Sequence, residues 1–344
     1  MVDVDSATAV WELGARISDF TFEGALAGYV TALACHAAEL ATRHAPRAST
    51  AAAAATTRAR TAGAVAVITS DGGPDATDRD GRFAPDPAGA GWGERLGRAA
   101  IMVTAVGFGM NVASIVMRGL AAHRAPWGNM YEIASLICAI AAGAWLLVAA
   151  RAHVRRMGVF VVFPIAVLSF VGGTVLYTPA GTLVPVLQSY WLVVHVLLVA
   201  LSSGVLMLSG AASLMFIIRS RYERRVVNVA DDRSFVARLP ETATLDRIAY
   251  RTAIIGFPLF TFAVVAGALW AEAAWGRYWG WDPKETTALV TWVLYAGYLH
   301  ARATSGWRGS RAAWISILGF ASIMFNLFFV NMVVSGLHSY AGLN

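Results

Sequence analysis

Long apolar stretches separated by short polar segments run from the first quarter of the chain to its end. Eight of them approach or exceed the roughly 20 residues that an α-helix needs to cross a bilayer. The predicted spans cover residues 21–41, 98–121, 130–150, 158–177, 190–218, 252–274, 284–304 and 312–335. Pro164 and Pro258 lie inside two spans, where neighbouring helices can satisfy the backbone groups that a proline frees. The pattern predicts an all-α polytopic membrane helix bundle with about eight transmembrane helices.

Composition agrees with this fold class. Hydrophobic residues make up 57% of the chain and charged residues only 14%, against about 25% charged residues in a typical globular domain. The mean hydropathy is +0.58. The chain divides into an N-terminal region with the first helix (1–42), a polar segment (43–95) and a seven-helix membrane domain (96–344). Because 43–95 has few large apolar side chains, we predict a disordered cytoplasmic linker there.

The arginines predict how the bundle lies in the membrane, because basic residues concentrate in cytoplasmic loops. The segment 219–251 carries eight arginines, whereas 177–190 carries no basic residue. Both termini and the loop around 122–129 are therefore expected on the outer face, with Arg118 and Arg124 as exceptions to the rule. The net charge of +6 follows mostly from this asymmetry, so a nucleic-acid partner is not expected.

The segment "WGRYWGWD" places three tryptophans between the sixth and seventh spans, on the predicted outer face. The flat rings of Trp275, Trp279 and Trp281 suit the plane of a porphyrin. Tryptophan also gathers at membrane interfaces as an anchor, and the loop is open to that simpler interpretation.

The following "DPKE" matches the start of a helix. Asp282 stands at the N-cap, Pro283 at the first helical position and Glu285 three residues after the cap, which together form a capping box. Starting the seventh span is thus one sufficient role for Asp282. Lys284, the single lysine of the chain, can reach a haem propionate or form a surface ion pair with its acidic neighbours.

Histidines in or beside the spans are candidate metal ligands, because an ionisable residue within a membrane is by default a functional hypothesis. His195 lies ~8 Å into the fifth span from the outer face, and His338 directly follows the eighth. Two such imidazoles can supply both axial ligands of a six-coordinate haem iron. His300 lies ~26 Å along the seventh span from Pro283, near the inner face. His36, at the inner end of the first span, is a weaker rival for an inner site.

Four segments, in order along the chain, carry a resemblance to a known family. The segment 275–300, "WGRYWGWDPKETTALVTWVLYAGYLH", closely resembles the WWD signature, W-G-x-x-W-x-W-D, of haem-handling membrane proteins. Three others are similar to motifs of the cytochrome c biogenesis protein CcsA type, also called CcsB or ResC. They are "PWGNMYE" (126–132), "LQSYWLVVHV" (187–196) and "GLHSYAG" (336–342). The resemblance covers roughly 96–344 and leaves the linker out.

The resemblance implies one subunit of a system II cytochrome c synthase (haem lyase) complex in the cytoplasmic membrane. Its partner would be a ResB/Ccs1-type membrane protein, and its substrates would be haem b and apocytochrome c with a C-x-x-C-H motif. By position, His195 and His338 match the external axial pair, and His300 matches the histidine that holds haem in transit. In that family the second transit ligand comes from the partner. The WWD loop (270–283) would bind the porphyrin through Trp275, Gly276, Trp279, Trp281 and Asp282.

Three alternatives remain open at this point. The chain could be a haem exporter or relay that hands haem over without forming thioether bonds. It could belong to the other bacterial maturation system, whose haem-handling proteins share the tryptophan motif, although the eight spans and the "LHSYAG" ending argue against this. It could also be a polytopic protein without a cofactor. We assign no individual catalytic acid or base, because the expected chemistry depends mainly on positioning.

Overall fold

The computed structural model describes residues 4–41, 91–151, 154–181, 187–225, 234–304, 306–334 and 336–337. Within these ranges eight long helices follow the order of the eight predicted spans, and there is no β-strand. They are α1 (Val4–Ala41), α2 (Trp92–Ala122), α3 (Met130–Arg151), α4 (Gly158–Thr174), α5 (Tyr190–Glu223), α6 (Thr242–Trp275), α7 (Pro283–Ala303) and α8 (Ser310–Met324). Short 3-10 helices cover Arg155–Met157 and Phe235–Arg238, and α8 continues through a π-helical segment, Phe325–Val330, into a last turn, Asn331–Val333. The predicted all-α polytopic bundle is confirmed.

Six of the described helices, α2 to α6 and α8, are long and apolar enough to cross a membrane. α1 and α7 have the length, but they are more polar or more charged than such a span. Three helices begin several residues earlier than the apolar pattern predicts, α1 at Val4, α2 at Trp92 and α6 at Thr242. Hydropathy detects only the part of a helix that suits hydrocarbon, whereas a helix can continue into polar surroundings. Most of the predicted linker lies outside the described residues, and its last four residues belong to α2.

α1 and α2 pack along each other through small residues. A Cβ atom on Gly28 of α1 would lie only 3.0 Å from the Cα atom of Gly107 of α2. Along the same contact the Ser18 hydroxyl donates to the Ser114 carbonyl oxygen (3.0 Å), and the Ser114 hydroxyl donates to the Ser18 carbonyl oxygen (2.8 Å). Close backbone approach with interhelical hydrogen bonds is how helices associate in membranes, where water supplies no hydrophobic driving force. Together with α3 and α4, this pair forms the first half of the bundle.

α5 connects the two halves of the bundle. It packs along α6 and also contacts α3 on one side and α8 on another, while α7 packs against α8 and α6. Met207, Leu208 and Met215 of α5 share one buried apolar core with Ile137 and Trp145 of α3. The second half, α5 to α8, therefore rests on the first through α5, and the ends of α5, α6 and α7 meet at its edge.

A buried ion-pair network accounts for the two arginines that break the predicted charge asymmetry. Glu132, at the start of α3, is buried and accepts hydrogen bonds from Arg118 Nε (2.8 Å) and Arg124 Nη1 (2.8 Å). It also accepts from the Gly128 N–H (2.8 Å), and its own N–H donates to Asn129 Oδ1 (2.9 Å), which fixes the "PWGNMYE" segment. Because a buried carboxylate pairs with them, these arginines differ from the loop arginines that report orientation. The orientation itself stays a prediction.

Candidate functional site

A cleft opens where the beginning of α5, the end of α6 and the beginning of α7 meet. It holds about 1010 Å³ of space, counting the part that is open to the surroundings. Most of the lining is apolar or aromatic. The polar and aromatic groups that matter below are His195, Trp275, Trp279, Lys284 and Asn326. The π-helical segment, which contains Asn326, closes one side of this cleft.

His195, in the second turn of α5, lines the cleft in a defined orientation. Its Nδ1 atom lies 2.8 Å from the carbonyl oxygen of Ala263 on α6. A carbonyl oxygen only accepts, so Nδ1 carries the proton and the lone pair of the ring lies on Nε2. The ring stacks on Trp270, with centroids 6.3 Å apart and planes 14° apart. Histidines that bind a metal typically donate their other ring N–H to a backbone carbonyl or a carboxylate, as His195 does here.

Gly267 makes room for this ring. A Cβ atom there would lie 2.7 Å from both Cε1 and Nδ1 of His195, a distance at which atoms overlap. Ala263, Gly267 and Trp270 follow one another at spacings of four and three residues, so they share one face of α6. Sequence reasoning named none of the three as a site residue, although Trp270 is the first residue of the predicted WWD loop (270–283). Following the helix backward from Trp275 in steps of three or four residues would have found this face.

The three tryptophans of the WWD loop take different positions. Trp275 ends α6, lines the cleft and packs edge-on against Trp270, with centroids 4.8 Å apart. Trp279 also lines the cleft, and none of the described residues accepts a hydrogen bond from its buried Nε1. Trp281 is 69% exposed and contacts the Trp279 ring edge-on at 5.9 Å. Of the predicted tryptophans, the structure therefore brings Trp275 and Trp279 to the cleft and leaves Trp281 outside its lining.

The backbone of the loop is fixed by the start of α7. Gly276, the C-cap residue directly after α6, has a φ of +68°, a conformation that favours glycine. Asp282 Oδ2 accepts from the Lys284 N–H (3.2 Å), and Glu285 Oε2 accepts from the N–H groups of Gly280 (2.8 Å) and Asp282 (3.2 Å). The predicted capping box is confirmed. Gly276 and Asp282 shape the loop and, in the described structure, do not line the cleft.

Lys284 connects the cleft to the end of α8. Its side chain lines the cleft, and its ammonium group donates to Asn331 Oδ1 in the last turn after the π-helical segment. The Asn326 side-chain amide donates to the Lys284 carbonyl oxygen (3.0 Å). The first turn of α7 and the C-terminal part of α8 are therefore held together at the cleft.

The other candidate histidines lie elsewhere. His300, in the last turn of α7, is exposed on the surface of the bundle. His338 lies outside the described residues, which end at Leu337. His36 is fully buried with its ring edge-on to Trp145, and a Cβ atom on Gly158 would lie 2.3 Å from its Cε1 atom. This packing leaves no room for a porphyrin beside His36, which disfavours it as an inner ligand.

Residues 127–338 match the family model described as cytochrome C assembly protein. The chain belongs to this family. Similar curated relatives carry the name cytochrome c biogenesis protein CcsA. The one from Gloeobacter violaceus is 33% identical over 268 residues, which cover 64% of this chain and 79% of the relative. The one from Mesostigma viride is 35% identical over 246 residues, with 65% and 80% covered. The predicted resemblance is confirmed.

A solved structure of the cytochrome c haem lyase CcmF is similar in fold. The match has a TM-score of 0.60 and covers 92% of this chain, at 16% sequence identity. It covers only 46% of that structure's chain, so this protein spans about half of its length. Membership of the cytochrome c assembly family places the chain in cytochrome c biogenesis, and its apolar helices make it a multi-pass membrane protein.

Proposed function

We propose that this member of the cytochrome c assembly family binds haem in the cleft beside His195 and delivers it to apocytochrome c. The haem would cross the cytoplasmic membrane from inside and be joined to the apoprotein on the outer face, together with a ResB/Ccs1-type partner. The observation that carries the proposal is the His195 imidazole. It is oriented by the Ala263 carbonyl oxygen and lines a cleft with tryptophan walls.

Three features of the cleft fit a haem substrate. With Nδ1 bonded, His195 presents Nε2 as an axial nitrogen for the iron. Trp275 and Trp279 offer aromatic surface to the porphyrin. The buried indole N–H of Trp279 has no acceptor among the described residues, and a propionate oxygen would satisfy it. The Lys284 ammonium group lies at the same cleft and favours an acidic ligand.

His338 is our candidate for the second axial ligand. The residue before it, Leu337, donates its backbone N–H to Asp282 Oδ1 at a distance of 2.9 Å. Asp282 belongs to the WWD loop, whose Trp275 and Trp279 line the cleft. The contact at Leu337 supports a pairing of His195 with His338 on one iron.

The reaction would join the two cysteine thiols of a C-x-x-C-H segment to the two vinyl groups of haem. Each thiol adds across one vinyl double bond, so that one C–S bond and one C–H bond form and no atom is lost. The complex would contribute mainly by holding the reactants in place, an effect that can lower a barrier by up to about 7–11 kcal/mol. His195 and His338 would hold the iron until the histidine of the apocytochrome replaces one of them.

His300 is our candidate for the ligand of haem in transit near the inner face. It lies ~26 Å along α7 from Pro283, too far from the cleft to share an iron with His195. Its exposure on the surface of the bundle leaves it accessible to a partner membrane protein, and the second ligand would come from there.

The test is co-expression of the full chain with a ResB-type protein and an apocytochrome c in a host that lacks its own maturation system. We expect cytochrome c that keeps its haem after denaturation, which shows thioether bonds. A complex that binds haem but yields no covalent product would favour the alternative of a haem exporter or relay. A purified complex without haem would contradict the proposal.

A further inference from the structure

A second pocket opens between the start of α2 and the end of α3. It holds about 920 Å³ of space, counting the part that is open to the surroundings. Three arginines, Arg95, Arg98 and Arg155, line it together with apolar side chains of both helices, among them Met102 and Leu146. We call it the arginine pocket. Among the described residues, it has no lining residue in common with the cleft described above, so it is a separate site.

The fold uses only part of the positive charge in this pocket. Arg155 has a partner, because its Nε atom lies 3.7 Å from a carboxylate oxygen of the buried Glu39. In the part of the chain that the structure describes, no group accepts a hydrogen bond from the side chain of Arg95 or Arg98, and both residues are exposed. A guanidinium group has five N–H donors and stays charged. The arginine pocket therefore offers two charged groups that can bind an anion.

Charged and apolar groups are separated along α2. Arg95, Arg98 and Met102 follow one another at spacings of three and four residues, so they share one face of the helix. Met102 is 62% exposed and lies ~10 Å further along the helix axis than Arg95. Trp92, the first residue of α2, is 77% exposed, and exposed tryptophans gather at membrane interfaces. The arginines therefore lie near the level of the lipid headgroups, and the apolar part of the pocket lies at the level of the hydrocarbon.

We infer that the arginine pocket binds an anionic phospholipid. Guanidinium groups form paired, charge-assisted hydrogen bonds with phosphate oxygens, and basic pockets between transmembrane helices bind anionic headgroups. The acyl chains would lie against Met102 and Leu146, in the apolar part of the pocket. A free phosphate ion would leave that part empty, and a zwitterionic headgroup would bring a second cation toward the arginines. The inference does not depend on haem binding in the cleft.

The test is native mass spectrometry of the full-length chain, purified in detergent, stripped of lipid and titrated with phosphatidylglycerol or with phosphatidylcholine of the same acyl chains. We expect one phosphatidylglycerol to bind at concentrations where phosphatidylcholine does not. The double variant Arg95→Gln, Arg98→Gln should bind phosphatidylglycerol about tenfold more weakly or worse, because each basic residue near an anionic headgroup contributes roughly fivefold. Arg224→Gln, Arg225→Gln is the matched control, since it removes two exposed arginines at the end of α5, outside the pocket, and should bind like the wild type.

Two further measurements on the wild-type chain locate the lipid and identify its chemistry. Phosphatidylglycerol with a photoreactive group in one acyl chain should label the segments around Met102 of α2 or Leu146 of α3. Millimolar inorganic phosphate should not displace the lipid, and neither should haem, whose carboxylates could otherwise occupy the same arginines. Equal binding of the two lipids, unchanged binding in Arg95→Gln, Arg98→Gln, labelling confined to other helices, or displacement by phosphate or haem would each overturn the inference.

Discussion

His195 and His36 both lie in long helices, and each ring fits against a glycine of a neighbouring helix, Gly267 or Gly158. Their surroundings differ in the space that the ring faces. His195 lines a cleft, with its Nδ1 atom fixed by a backbone carbonyl. His36 is 0% exposed, packs against Trp145, and has its Nδ1 atom 3.7 Å from a buried glutamate carboxylate oxygen.

A histidine within the membrane becomes a ligand candidate through the space beside it. The general rule for ionisable residues in spans applies equally to both. The glycine contact also applies to both, because in each case it only makes room for the imidazole. What separates them is that His195 lines an aromatic cleft, with its Nδ1 atom fixed by a carbonyl oxygen of the neighbouring helix. His36 instead lies in a closed, packed interior between Trp145 and Gly158.

Removal of each imidazole should give the largest difference between the two regions. We expect His195→Ala to lower the yield of covalent cytochrome c by at least about tenfold, because the iron loses an axial ligand. His36→Ala should instead lower the amount of folded protein, because it leaves a cavity in the core. Haem stain of cytochrome c, divided by the amount of this protein in the membrane, measures both. Equal losses per folded protein would show that the two regions do not differ in function.

His300 offers a test of direction, because its proposed role lies upstream of the cleft. His300→Ala should lower the haem content of the purified complex several-fold and deplete the cleft as well. The double variant His195→Ala, His338→Ala should retain haem that is bound at the inner site. Haem per complex and its absorption spectrum distinguish these outcomes at matched protein amounts. A fully loaded cleft and normal cytochrome c output in His300→Ala would contradict the transit role.

The glycines that contact the two rings, Gly267 and Gly158, should respond differently to replacement by alanine. A methyl group on Gly267 overlaps the His195 ring, so Gly267→Ala should shift that ring and weaken haem binding several-fold while the protein still folds. Gly158→Ala overlaps the His36 ring in a packed core, where overpacking costs about 1–3 kcal/mol of stability. Haem titration should therefore detect the effect of Gly267→Ala, whereas thermal unfolding should detect the effect of Gly158→Ala. Lower stability without weaker haem binding in Gly267→Ala would show that the fit of the ring is only structural.

Within the WWD loop the expected effects are smaller. Trp279→Leu keeps apolar bulk but removes from the cleft an aromatic face and an N–H that has no acceptor among the described residues, so haem affinity should fall several-fold. Trp281→Leu changes a side chain that is 69% exposed, and haem affinity should stay within about twofold of wild type. If Trp281→Leu has the larger effect on haem, the placement of the two rings is wrong. If neither variant changes haem binding, the anchoring interpretation of the loop is favoured.

Much of the fold could be predicted from sequence because membrane helices are long and uniformly apolar. All eight predicted spans correspond to described helices, and the cap at Asp282 was evident from "DPKE" alone. The starts of α1, α2 and α6 could not be predicted, because their first turns are polar and carry no hydropathy signal. The linker 43–95 and the orientation of the bundle stay predictions.

The site was predictable to a lesser degree. His195, Trp275 and Trp279 were identified from motifs, and the structure brings them to one cleft. Ala263 and Gly267 escaped notice, since a backbone carbonyl and a missing side chain leave no signature in a single sequence. The contact between Asp282 and Leu337 joins residues that are 55 positions apart, and only the packing of α7 on α8 brings them together. The roles of His300 and His338 in haem binding stay predictions.

Electron paramagnetic resonance of the ferric complex can determine whether His195 binds haem iron in this cleft. The full-length chain with its ResB-type partner should show a low-spin signal typical of two imidazole ligands. His195→Gly should convert that signal to high spin, and added imidazole should restore low spin by occupying the space of the missing ring. A His195→Gly complex that keeps the wild-type low-spin signal, and does not respond to imidazole, would show that His195 does not bind the haem iron.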